Sequence, residues 1–135
     1  MVKEKIALDT NVVIDIFNNK HTVVALLNNY QTIYLPVTVC GELLFGAKNS
    51  ARSQENQQKC HDFISNCNVL NINELIAEAY ATTRKVLKNK GKPIPENDIW
   101  IAATCIVNNI PLATFDSDFN AIDELIIVNP VAPLE

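Results

Sequence analysis

The stretch that most limits the fold is Lys5-Ile6-Ala7-Leu8-Asp9-Thr10-Asn11. Three apolar residues run into an aspartate, and the apolar spacing then changes: Val12, Val13, Ile16 and Phe17 recur at helical intervals. This predicts a short buried strand, a tight junction and a helix with Asn11 at its N-cap. The same alternation continues down the chain. Helices are expected over 22–30 with Thr22 as cap, over 37–47, and through the stripe Cys60, Phe63, Ile64 and Cys67 that follows the polar segment 48–58. Another should start at an Asn73 cap, bury Leu75, Ile76, Ala79, Tyr80, Val86 and Leu87, and stop at Gly91. The last should begin near Pro95, and its body from Ile99 to Val107 is apolar on nearly every side, as in a largely buried helix. Strands fall at 32–35, 69–72, 111–114 and 125–128. Short apolar strands alternating with helices imply an α/β fold: a mainly parallel sheet, covered on both faces and joined by right-handed crossovers. In such a sheet ligands occupy the crevice beyond the carboxyl ends of the strands, where Asp9 would project. Asp9 is equally suited to capping the helix that follows it.

A chain of 135 residues suffices for one domain with a substantial core, here taken as residues 1–135, and is short for two. Eleven Lys and Arg against fifteen Asp and Glu give a net charge of −4, which argues against a uniformly basic nucleic-acid binder and leaves room for a local basic patch. No apolar run approaches the ~20 residues that span a bilayer. The start, Met1-Val2-Lys3-Glu4-Lys5, has no signal-peptide core, so a cytoplasmic location is expected. Cys40, Cys60, Cys67 and Cys105 form no CxxC pair and no zinc-like spacing with His21 or His61, and read as reduced core thiols.

The chemistry lies in the acids. Asp9 and Asp116 end the first and fourth strands; Glu42 and Asp98 lie in the first turns of helices. Each has an ordinary structural use: Asp98 as a first-turn acid on the helix dipole, Glu42 as a solvated side chain, Asp116 and Asp118 as turn caps. Taken together they matter more. Strand ends and the helix starts that follow them share one sheet edge. Several carboxylates meeting there repel one another unless cations intervene or their pKa values rise. Hard divalent cations such as Mg²⁺ or Mn²⁺ take oxygen ligands, and a site of this kind suits phosphodiester hydrolysis by activated water. Thr10, Asn11 and Thr114 stand beside the acids and would orient them, or simply serve caps and turns. Arg84, Lys85, Lys88, Lys90 and Lys92 hold five of the eleven basic residues within nine positions. They would guide the phosphates of a polyanionic substrate toward Asp98, or form a solvated helix end.

The pattern resembles a PIN domain, and specifically the VapC-type toxin nucleases. The likeness rests on Asp9-Thr10-Asn11 after the first strand, on Glu42 in the third helix, on Asn97-Asp98-Ile99-Trp100-Ile101-Ala102-Ala103, and on Leu112-Ala113-Thr114-Phe115-Asp116-Ser117-Asp118-Phe119, and covers essentially the whole chain. It implies an α/β/α fold with sheet order 3-2-1-4-5 and an acidic quartet of Asp9, Glu42, Asp98 and Asp116. Asp9, Asp98 and Asp116 would be the metal ligands, with Asp118 an alternative fourth acid. It also implies Mg²⁺- or Mn²⁺-dependent endoribonuclease activity, a homodimer, and a VapB-like antitoxin through which the complex reaches operator DNA. Three other readings compete. A haloacid-dehalogenase-type phosphatase needs a second aspartate where this chain has Asn11. A receiver-type signalling domain wants paired early acids and a lysine after the last strand, where Val128-Asn129-Pro130 stands. A PIN-like module that binds RNA or a partner without cleaving it would not need all four acids.

Overall fold

The computed structural model describes residues 3–130, and five parallel strands form its centre. Strand β1 (Lys3–Leu8) leads into helices α1 (Thr10–Phe17) and α2 (His21–Leu27), then β2 (Tyr30–Pro36). Helices α3 (Val37–Lys48) and α4 (Ser53–Ser65) precede β3 (Asn68–Leu70); α5 (Glu74–Asn89) and α6 (Glu96–Asn108) precede β4 (Leu112–Ala113). A 3-10 helix, Ser117–Ala121, separates β4 from β5 (Ile127–Val128). The sheet order is β3-β2-β1-β4-β5, as the resemblance implies. A receiver-type fold has the order 2-1-3-4-5, so that alternative is set aside.

Burial explains why β1 sits in the middle. Ile6, Ala7 and Leu8 are fully buried and covered on both faces, the requirement for a central parallel strand. Leu8 is in register with Ala113 of β4, and Ala7 with Tyr34 of β2, so the carboxyl ends of β1, β2 and β4 open on one edge. Leu35, Ile101, Leu112 and Phe119 fill the core around it. Helix α6 is as buried as its composition requires: Ile99, Ile101, Ala102, Ala103, Thr104 and Cys105 are all covered.

Several sequence expectations shift. The N-cap of α1 is Asp9, not Asn11, because the Asp9 carboxylate accepts from the Thr10 amide and its carbonyl accepts from the amides of Val12 and Val13. Thr22 is not a cap, since α2 starts at His21 after Lys20, whose side chain makes no capping bond. The third and last strands are shorter than predicted. Asn73 caps α5 through the Ile76 amide, and Gly91 takes the left-handed φ of +69° that ends the helix. The buried stripe of α5 is narrower than expected. Ile76 and Leu87 are buried, whereas Leu75 (69% exposed) and Val86 (45%) face outward, because α5 packs mainly on α6 and lies about a quarter-turn out of phase with those two positions. All four cysteines are unpaired thiols; burial pushes Cys105 up to about 12 and Cys67 to about 11. No helix among the described residues is long and apolar enough to cross a membrane.

Candidate active site

Asp9 follows the last residue of β1 and is almost wholly buried. Its amide donates to the Ala113 carbonyl (3.0 Å), which ties it to the end of β4. One carboxylate oxygen accepts from the Thr10 amide (2.9 Å) and the other from the Thr114 hydroxyl (2.7 Å), a contact between residues 105 positions apart. The Thr114 oxygen in turn accepts from the Asp116 amide (3.0 Å), and the Asp116 carboxylate accepts from the Asp118 amide (2.9 Å) and caps the 3-10 helix. Thr10 performs a parallel service for α3, its hydroxyl donating to Glu42 Oε1 at 2.7 Å. Asn11, freed from capping, receives the Phe115 amide on its side-chain oxygen at 3.4 Å. Three small polar residues thus hold two strand ends and one helix start in register.

Asp98 differs. It is half-buried in the first turn of α6, and its side chain has no hydrogen-bond partner among the described residues. Burial raises its pKa to about 6, with the charges of Asp9, Asp116, Glu42 and Asp118 adding to the shift in that order. Burial also raises Asp9, opposed by the hydrogen bonds from Thr114 and Thr10 and reinforced by Glu42 and Asp116. The predicted quartet therefore shares one electrostatic neighbourhood, with Asp118 at its rim.

The donors at this edge are all oxygens. Cys105 lies beneath, within reach of the Asp9 charge, as a neutral buried thiol. The set suits a hard divalent cation, and the mutual repulsion is what such a cation relieves. Among the described residues, no three His, Cys, Asp or Glu side chains are drawn in tightly enough to cage an ion as they stand.

Two of the five basic residues are engaged elsewhere. Arg84 pairs with Glu96 (3.0 Å) and also donates to the Tyr80 hydroxyl, which itself donates to Glu96 and whose ring stacks on Trp100 at 3.8 Å. Lys90 pairs with Asp123 and donates to the Ala121 carbonyl, both at 3.0 Å. Lys85, Lys88 and Lys92 are exposed without an ion pair among the described residues, and Lys88 lines a cleft of about 210 Å³ with Pro93 and Glu96. Two clefts flank Glu42 that no spacing in the sequence announces. One, of about 320 Å³, lies between α1, α3 and α4 and includes Ile14, Phe17, Leu43 and Cys60. The other, more open and of about 620 Å³, is bounded by Thr38, Gly41, Phe45 and Asn97. Their one legible trace is Phe45, a large apolar residue one helical turn beyond Glu42.

Residues 6–125 match the PIN domain family model. The chain is 30% identical over 127 residues to Ribonuclease VapC2 of Rickettsia felis, spanning 90% of this chain and 95% of that protein. It is 32% identical over 124 residues to Ribonuclease VapC1 of Haemophilus influenzae, spanning 87% and 92%. Among solved structures it superposes on VapBC2 from Rickettsia felis bound to a promoter DNA fragment with a TM-score of 0.85 at 28% identity, covering 93% of this chain and 98% of that one. It superposes on DNA-bound VapBC from Salmonella typhimurium with a TM-score of 0.87 at 26% identity, covering 96% and 99%. With its sheet order, its acids and these relatives in agreement, the chain belongs to the PIN-domain family and is a VapC-type member of it.

Proposed function

We propose that this chain is a Mg²⁺- or Mn²⁺-dependent endoribonuclease, the toxin of a type II toxin–antitoxin pair, acting in the cytoplasm as one domain over residues 1–135. The observation that carries the reading is the convergence of Asp9, Glu42, Asp98 and Asp116, from four separate elements, into mutual repulsion strong enough to help lift Asp98 to about 6. A cluster that is costly without a cation is the signature of a site made for one. Asp9, Asp98 and Asp116 would hold the ion. When bound, it supplies Lewis-acid charge to the phosphodiester and acidifies the attacking water.

The chain's own residues do the rest. Thr114 fixes the rotamer of Asp9 and the backbone of Asp116 at once, and Thr10 fixes Glu42. Glu42 faces the site while bounding both clefts, which places it to take a proton from water or to position it. Asp116, half-buried and acting on both Asp9 and Asp98, suits the fourth position better than the exposed Asp118. Lys85, Lys88 and Lys92 would draw the RNA backbone toward the start of α6, with Arg84 and Lys90 contributing after release from their acids. The two solved relatives named above are VapBC complexes, both bound to DNA. By the same logic a VapB-like antitoxin would bind this chain, working as a homodimer, and carry it to operator DNA. The apolar cleft beside Glu42 offers an antitoxin segment a seat that blocks the site.

The test is cleavage of single-stranded RNA with Mg²⁺ or Mn²⁺, in EDTA, and with Asp98→Asn. Cleavage confined to the wild-type protein with metal is expected. Undiminished activity in EDTA or in the variant overturns the reading.

A further inference from the structure

The open cleft of about 620 Å³ on the far side of Glu42 is built in a way that core packing does not explain. Phe45 is 69% exposed at its rim, one helical turn from Glu42. Gly41 lies in the interior of α3, where glycine is a poorer helix former than alanine. No atom lies within 4 Å of where its Cβ would be, so nothing in the chain requires the missing side chain. Thr38 and Asn97 complete the lining, and neither side chain is hydrogen-bonded to another described residue. Asn97 immediately precedes Asp98. An aromatic face, an open floor and two idle polar groups therefore share a cleft with Glu42, and Asn97 adjoins Asp98 in sequence.

Building on the nuclease reading, we propose that this cleft is a nucleobase subsite for the nucleotide next to the scissile phosphate. A phosphodiester at Asp98 and Glu42 leaves its neighbouring base beside Phe45. The ring offers that base a stacking face, and every base has a complementary π-face. The carboxamide of Asn97 both donates and accepts, so it can read a Watson–Crick edge, and the Thr38 hydroxyl can supplement it. Gly41 leaves the floor free for the base plane. The subsite gives an acidic protein a sequence preference that its lysines, which meet only phosphate, cannot supply.

The experiment uses a randomised single-stranded RNA pool cleaved by the full chain with Mn²⁺, the product ends being sequenced. Anisotropy of a labelled RNA octamer on Asp98→Asn protein gives a readout independent of turnover. Phe45→Ala should lower kcat/KM and octamer affinity by roughly tenfold. It should also flatten the base preference at one position beside the cut, while Phe45→Tyr retains both. Gly41→Leu should keep or raise the melting temperature yet lose the same preference, and Asn97→Ala should broaden it. Unchanged preference and affinity in Phe45→Ala and Gly41→Leu, with the wild type cleaving normally, overturns the subsite and leaves the nuclease intact. A fall in oligomeric mass of Phe45→Ala by sedimentation also overturns it, by assigning the face to a second copy. A wild-type protein that neither cleaves nor binds overturns both.

Discussion

Asp9 and Asp98 are the same residue type, the charge of the first acts on the second, and the fold treats them in opposite ways. Asp9 is buried at a strand end, with each carboxylate oxygen held by a donor and its backbone woven into both β4 and α1. Asp98 is half-buried at a helix start, holds no side-chain bond among the described residues, and is pushed up first by burial and then by four neighbouring acids. One is part of the scaffold; the other is held in place by its helix alone and is opposed electrostatically. On the proposed metal-dependent reading, Asp9 would define the position of the cation and Asp98 would supply an unsatisfied charge to it.

The contrast can be broken most sharply at Asp98. Asp98→Asn should cut metal-dependent RNA cleavage by on the order of a hundredfold or more while leaving the fold intact. Asp9→Asn should abolish cleavage as well, but an amide has only one acceptor oxygen where Asp9 uses two. It should therefore also lower the melting temperature, which separates scaffold from ligand in one pair of melts. Equal stability of the two variants would erase the distinction.

Thr114 tests the scaffold side. Thr114→Val strips the donor from buried Asp9 and the acceptor from the half-buried Asp116 amide, and should cost about 1–3 kcal/mol in denaturant unfolding. Thr114→Ser should restore most of it. A pH titration of stability in EDTA sharpens the Asp98 side. The unfolded carboxyl titrates near 3.8 and the folded one near 6, so the folded state binds more protons in that window. Stability should fall as pH rises from about 4 to 6 and stay at the lower level above it, by ~1 kcal/mol once solvent screening of a half-buried group is counted. Asp98→Asn should remove the slope. Smallest of all, Lys88→Glu should reduce the salt dependence of RNA binding by about one phosphate contact.

What could be read in advance follows from how local each cause is. The strand ending at Leu8, the Asn73 cap and the buried body of α6 are set by neighbours within a turn or two, and all three were legible. The sheet order was not a matter of spacing; it came with the resemblance. The spacing puts the α1 cap two residues late because Asp9 and Asn11 are both capable caps, and the bonds that hold Asp9 to Ala113 and Thr114, more than 100 positions away, are invisible to spacing. That Arg84 and Lys90 of the basic run are paired is not legible locally, because Glu96 and Asp123, which hold them, lie 12 and 33 residues off. The acids were visible as residue types at strand and helix ends, while the clefts around Glu42 depend on how α1, α3, α4 and the start of α6 come together in space.

Isothermal titration of Mn²⁺ into the metal-free protein at pH 7.5 tests the central claim most directly, run beside the same titration of Asp98→Asn. Saturable binding by the wild type, with at least tenfold weaker uptake by the variant, is the predicted result. Identical isotherms for the two proteins, or no uptake by either, would contradict it.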